Sequence, residues 1–80
     1  MNSPTETTIP ITVNGDGRSV PDGYPLTDLL RDLEIDPGDD DATTGVAVAL
    51  NGSVVRRQDW EDVRLAEDDT VEVIQAQPGG

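Results

Sequence analysis

One stretch of the chain repeats its large apolar residues at helical spacing, and that constrains everything around it. Leu26, Leu29, Leu30 and Leu33 fall at i, i+3, i+4 and i+7, a single stripe, with Thr27, Asp28, Arg31, Asp32 and Glu34 on the opposite face. The spacing predicts one amphipathic helix. Pro25 fits its first turn, where a missing N–H costs nothing, and Pro37-Gly38 is expected to end it. Such a helix must bury its stripe, and a chain of 80 residues has room for one small core. The leucines are therefore packing residues with no functional role.

The surface that receives the stripe has to come from strands. Ile9, Ile11 and Val13 alternate with Pro10 and Thr12, and Asn14-Gly15 then gives a hairpin turn because both residues tolerate positive φ. A second strand returns through Arg18 to Val20 before Pro21-Asp22-Gly23 breaks the chain. Residues 36–44 read as a mobile, solvated acidic loop. Residues 45–50 (GVAVAL) read as a strand buried on both faces: Val46, Val48 and Leu50 lie on one side, and Ala47 and Ala49 leave room on the other for a close neighbour such as the helix. Asn51-Gly52 is a second hairpin turn into a short strand at Val54 and Val55; Trp60 closes one end of the core, and Leu65 fills space under a Glu67-Asp68-Asp69 turn that launches the last strand. The adjacent Arg56 and Arg57 are expected to neutralise nearby carboxylates. Strand, strand, helix, strand, short strand, strand is an α+β arrangement, a mixed sheet of about five strands with the helix on one face. Residues 1–8, with no apolar periodicity, are expected to form a disordered leader, residues 9–76 the folded domain and residues 77–80 a flexible tail.

Composition removes whole classes of function. With no Cys and no His, thiol nucleophiles, the usual zinc ligands and the common general base are absent, so the chain is not expected to be an enzyme by itself. Asp39-Asp40-Asp41 is the one place to look for a hard cation, but it lacks the alternating ligands and central glycine of a calcium loop, and no metal is expected. A net charge of −12, 17 acidic residues against five arginines and no lysine, argues against nucleic acid and for a partner with a basic face. Abundant Asp without Lys resembles proteins of salt-loving cells, an expectation that thermal melting in dilute and in molar salt checks. Val, Ile, Leu and Phe supply 19 of the 80 residues, above the roughly 20% below which a charged chain stays disordered. No apolar run approaches the ~20 residues of a membrane span and no signal-peptide pattern opens the chain, so a cytoplasmic protein is expected.

The last ten residues, VEVIQAQPGG, carry the functional signal. Val71, Glu72 and Val73 alternate as a half-buried strand, and Ile74 and Ala76 point to the other face, where an apolar side chain implies a contact. Pro78 and the two glycines do not continue a sheet, so an exposed peptide should follow. Without a Cβ on Gly79 or Gly80, such a tail can enter a channel too narrow for other side chains and present the Gly80 carboxylate. A carboxylate is a poor electrophile and needs activation by a partner, typically as an acyl-adenylate. Fully extended, the seven residues after Val73 reach roughly 23 to 25 Å.

Read together, the hairpin ITVNGDGRSVP, the helix TDLLRDLEI, the stretch GVAVALNGSVVRRQDW and the terminal Gly-Gly resemble the β-grasp fold of ubiquitin-like proteins, and more closely the ThiS family of sulfur carriers in thiamin biosynthesis. The resemblance covers nearly everything after residue 8. It implies that a ThiF-like enzyme adenylates Gly80 with ATP and magnesium, that persulfide sulfur from a donor such as a cysteine desulfurase displaces AMP, and that the resulting thiocarboxylate feeds a ThiG-like thiazole synthase. In that scheme Gly80 is the sulfur attachment point, Gly79 gives clearance, and Ile74, Gln75, Ala76, Gln77 and Pro78 dock on the partner. The chain itself is expected to bind no cofactor, nucleic acid or membrane. Arg56 stands where the family often has proline, and Pro78 where a less rigid residue is common. Carriers for tRNA thiolation or molybdopterin, a modifier forming isopeptide bonds through Gly80, and a non-covalent interaction module are the alternatives.

Overall fold

The computed structural model describes residues 7–76. Within them lie β1 (Thr8–Val13), β2 (Asp16–Pro21), α1 (Leu26–Asp32), α2 (Asp40–Thr43), β3 (Val46–Leu50), β4 (Ser53–Val55), a 3-10 helix (Arg57–Asp62) and β5 (Thr70–Gln75). The strands form one sheet in the order β2-β1-β5-β3-β4. Two antiparallel hairpins, β1–β2 and β3–β4, flank β5, which runs antiparallel to β3 and parallel to β1. This is the α+β arrangement expected from the element order, in the β-grasp form that the resemblance implies.

Local chemistry explains each hairpin. Asn14 and Gly15 sit at φ 52 and 87, Asn51 and Gly52 at φ 52 and 86, so both turns use left-handed pairs that match the strand twist. Pro10 is tolerated inside the sheet because the β1–β5 ladder begins only at Thr12, and its carbonyl accepts from Asp68 N–H at 2.7 Å.

The helix forms where the leucine stripe predicts it, and Leu26, Leu29 and Leu30 are buried. Its ends differ from expectation. Pro25, with ψ 140, is still extended and stands just before the helix rather than in its first turn. The C-terminus comes well before Pro37-Gly38: Glu34 takes φ 66, its N–H donates to Arg31 O and the Ile35 N–H to Leu30 O, each at 2.9 Å. That is a Schellman closure, with Ile35 and Leu30 both buried in the core.

Three further expectations change. β3 is not buried on both faces: Val48 is inside, while Ala47 is exposed and Ala49 half-exposed, because the helix takes the valine side and no second layer exists for the other. The acidic loop contains a helical turn, α2, capped by Asp39 Oδ1 accepting from Asp41 N–H at 2.9 Å and anchored by buried Thr43, whose hydroxyl donates to the Asp39 and Asp40 carbonyls. Strand β1 begins at Thr8, paired with Pro21, and Thr7 O already accepts from Asp22 N–H, so order starts before Ile9. Trp60 closes the core as expected, 2% exposed, with its indole N–H donating to Val55 O at 3.0 Å. The 3-10 helix that carries it had no signature in the sequence pattern.

Candidate functional site

The candidate site grows from β5. Its inward side chains, Val71 and Val73, pack in or against the core, which fixes the strand's rotation and turns Glu72 and Ile74 to the opposite face. Ile74 is 63% exposed and Val54 76% exposed, the large apolar residues left in water among those described. Between their strands lies β3, with Ala47 opposite Ile74 and Ala49 opposite Val54. Two methyl side chains flanked by two branched ones make a shallow apolar surface, with the Glu72 carboxylate beside it opposite Ala49. A partner can close on such a surface without displacing anything from the core.

The backbone of β5 is held from both sides. Toward β3, Asn51 N–H donates to Thr70 O at 2.7 Å and Ala76 N–H to Gly45 O at 2.8 Å. Toward β1, Thr12 N–H donates to Asp69 O and Asn14 N–H to Val71 O, both at 2.9 Å. The parallel ladder ends at Val13 and Val71, and beyond it the Asn14 side chain takes over, Oδ1 accepting from Val73 N–H at 2.8 Å. Asn51 performs the same task at the strand's start, Oδ1 accepting from Thr70 N–H at 2.9 Å while Nδ2 donates to Asp69 Oδ1. Both Asn-Gly turns therefore also clamp the last strand. Sequence reading found the turns and missed this second use; the only signal for it was the choice of Asn over Asp or Gly.

Of the residues expected to dock on a partner, Ile74, Gln75 and Ala76 are described and exposed, on or just after β5. Gln77, Pro78, Gly79 and Gly80 lie outside the described residues.

The charged groups are occupied elsewhere. Arg31 pairs with Asp28 at 2.8 Å, Arg56 with Asp59 at 3.8 Å and Arg57 with Asp40, the neutralising role expected of the adjacent arginines. Asp39 and Asp40 thus serve different partners, a cap and an ion pair. Among the described residues no three carboxylates are grouped to hold a metal ion. Tyr24 O–H donates to Asp32 Oδ2 at 2.7 Å; that bond, then partial burial and the carboxylates of Asp32 and Asp28, outweigh Arg18 and push the phenol up to about 12. The buried polar side chain among the described residues, Thr43, is spent on α2. The described domain presents an exposed apolar face and a held strand.

The sequence model of the ThiS family matches residues 11–80. The crystal structure of a thiamine biosynthesis protein (ThiS) from Geobacter metallireducens is similar in fold, with a TM-score of 0.66 and 31% identity over 90% of this chain and 100% of that one. No curated protein matches the chain.

Proposed function

The chain belongs to the ThiS family, and on that footing we propose that it is a sulfur carrier for thiazole formation in thiamin biosynthesis, with Gly80 as the atom-carrying residue. The observation that supports this most directly is β5. It holds an exposed apolar side chain, Ile74, on the open face and then runs into Gln77-Pro78-Gly79-Gly80, a sequence with no side chain beyond Pro78 to obstruct entry to an enzyme.

In the proposed cycle the Gly80 carboxylate attacks the α-phosphorus of ATP in a ThiF-like partner, with magnesium held by that partner and pyrophosphate leaving. The terminal sulfur of a persulfide then displaces AMP from the acyl-adenylate, and a reductant cleaves the acyl disulfide to leave a thiocarboxylate. A ThiG-like synthase draws its sulfur from there. The carrier contributes no acid, base or nucleophile other than its own terminus, and acts as co-substrate rather than enzyme. Ile74, Gln75 and Ala76 make the first contacts, and Gly79 gives clearance at the reacting carbon. The dependence on ATP fits a cytoplasmic role, and among the described residues no helix is long and apolar enough to cross a membrane.

The test is the intact mass of the full chain after incubation with a ThiF-type enzyme, ATP and a persulfide source. A gain equal to exchanging one oxygen for sulfur, abolished by deleting Gly80, is expected. An unchanged mass with a demonstrably active enzyme would move the assignment to a protein modifier or a non-covalent interaction module.

A further inference from the structure

The chain leaves the sheet beside Gly45. Beyond the last β3–β5 strand pair, Val46 with Gln75, the next rung is the hydrogen bond from Ala76 N–H to Gly45 O at 2.8 Å. Gly45 stands just before β3 with φ 80, in the left-handed region that favours glycine. An added Cβ there would lie 3.1 Å from the Ala76 carbonyl oxygen and 3.3 Å from its Cβ. The other described glycines at positive φ, Gly15, Gly23 and Gly52, have nothing within 4 Å of such a Cβ. Backbone freedom alone therefore accounts for those three, whereas at Gly45 the residue opposite also demands the missing side chain.

We infer that Gly45 is a positioning residue for activation of the C-terminus: it lets the chain run flush against β3 as far as Ala76, so that the reach to the terminal carboxylate begins at Gln77. This rests on the sulfur-carrier reading above. From Gln77 onward four residues remain, at most about 13 to 14 Å of extended chain. With the outer face docked, the position of Ala76 decides where that short reach is aimed. A side chain at 45 must be accommodated by movement, and the strand pairs Val46–Gln75 and Ala47–Ile74 hold the interior of the ladder. Exposed Ala76, at the ladder's end, gives way instead. The root of the tail then loosens by one residue, and the carboxylate explores a larger volume around the partner's catalytic centre. Misplacement on the ångström scale costs reactions of this kind about tenfold or more.

The experiment compares Gly45→Ala, Gly45→Asn and Gly23→Ala with the unaltered chain. Gly23, at φ 74 and with open space around it, carries the same backbone strain without the crowding. Asn tolerates the left-handed region, as Asn14 and Asn51 do here, so Gly45→Asn keeps the crowding and removes most of the strain. Adenylation by a ThiF-type enzyme should show kcat lowered about tenfold in both Gly45 variants, with KM for the carrier changed much less because Ile74 and Gln75 stay in their strand pairs. Gly23→Ala should match the unaltered chain. Amide exchange gives a readout independent of activation: the Ala76 N–H should lose protection in the Gly45 variants while Glu72 N–H keeps it. Equal kcat in Gly45→Asn and Gly23→Ala, or an Ala76 amide as protected as before, overturns the inference. An unaltered chain that is not adenylated at all overturns the carrier reading itself and takes the activation role with it, while Ala76 exchange still decides whether Gly45 sets the strand's end.

Discussion

The two faces of the sheet are built from alternate residues of the same strands, yet they have opposite fates. On β3, Val48 is buried in the core it shares with the leucines of α1 while its neighbours Ala47 and Ala49 face outward; on β5, Val71 is fully buried three residues before Ile74 stands in water. A seven-residue helix and the short turns beside it can cover one face only, so stability concentrates there and the other face is left open, where the proposed docking residues stand. Substitutions should therefore separate cleanly, with core changes altering stability and outer-face changes altering activation.

The largest effect on stability should come from Leu29→Ala. Leu29 has no exposed surface, and removing its branched end leaves a cavity between helix and sheet worth about 2–5 kcal/mol. For 80 residues the whole stability is on the order of 4–12 kcal/mol at ~0.05–0.15 kcal/mol per residue. Urea unfolding should show the midpoint fall by about a sixth or more, or the domain unfolded outright. A loss below about 1 kcal/mol would mean that the helix side is not where the fold is held.

Ile74→Asp tests the other side. The side chain is mostly in water, so unfolding free energy should change by no more than about 1 kcal/mol, the penalty being strand propensity and repulsion from Glu72. Adenylation by a ThiF-type enzyme should slow about tenfold or more, since a carboxylate then has to be desolvated in an apolar contact. Normal activation of the folded variant would remove Ile74 from the interface; a large loss of stability would mean that the outer face also supports the fold.

The same contrast separates what was legible in the sequence from what was not. Period alone placed the inner face: the leucine stripe, Ile9, Ile11 and Val13, and the alternation at Val71 all lie as their spacing requires. Turn chemistry placed both hairpins through Asn-Gly. The outer alanines were misjudged because an apolar run looks the same whether it is covered on two sides or one, and only the count of covering elements decides. The helix end was missed because the left-handed closing residue is Glu34, where glycine is the usual signal, while Pro37-Gly38 further on offers the more familiar stop. The turn α2 hid in an acidic run because its cap and its Thr43 anchor are short-range polar contacts with no apolar period. The exposed part of the site, Ile74 to Ala76, was legible from alternation, whereas the grip of Asn14 on Val73 and of Gly45 on Ala76 joins residues far apart in the chain and appears only when strands are paired.

The smallest effect lies where the inner face meets water. Tyr24 packs its ring against the core and donates its hydroxyl to Asp32 of α1, tying the turn after β2 to the helix. Because the folded state holds the phenol proton up to about 12 against an ordinary value near 10.0, the bond's contribution is complete below pH 10. It declines as pH rises from the unfolded value toward the folded one, since the unfolded chain then gains stability by ionising first. Tyr24→Phe should accordingly cost about 0.5–1 kcal/mol at pH 7, the net worth of one half-exposed hydrogen bond, and the gap between the two proteins should stay flat to pH 10 and narrow above it. Urea midpoints measured at neutral pH and just above pH 10 check the sign. A gap that widened with alkalinity would mean that the folded state favours the phenolate, which the adjacent Asp32 carboxylate forbids. A gap absent at neutral pH would leave the ring's packing as all that Tyr24 gives, and would move the boundary between the sealed and open parts of the molecule one residue closer to the core.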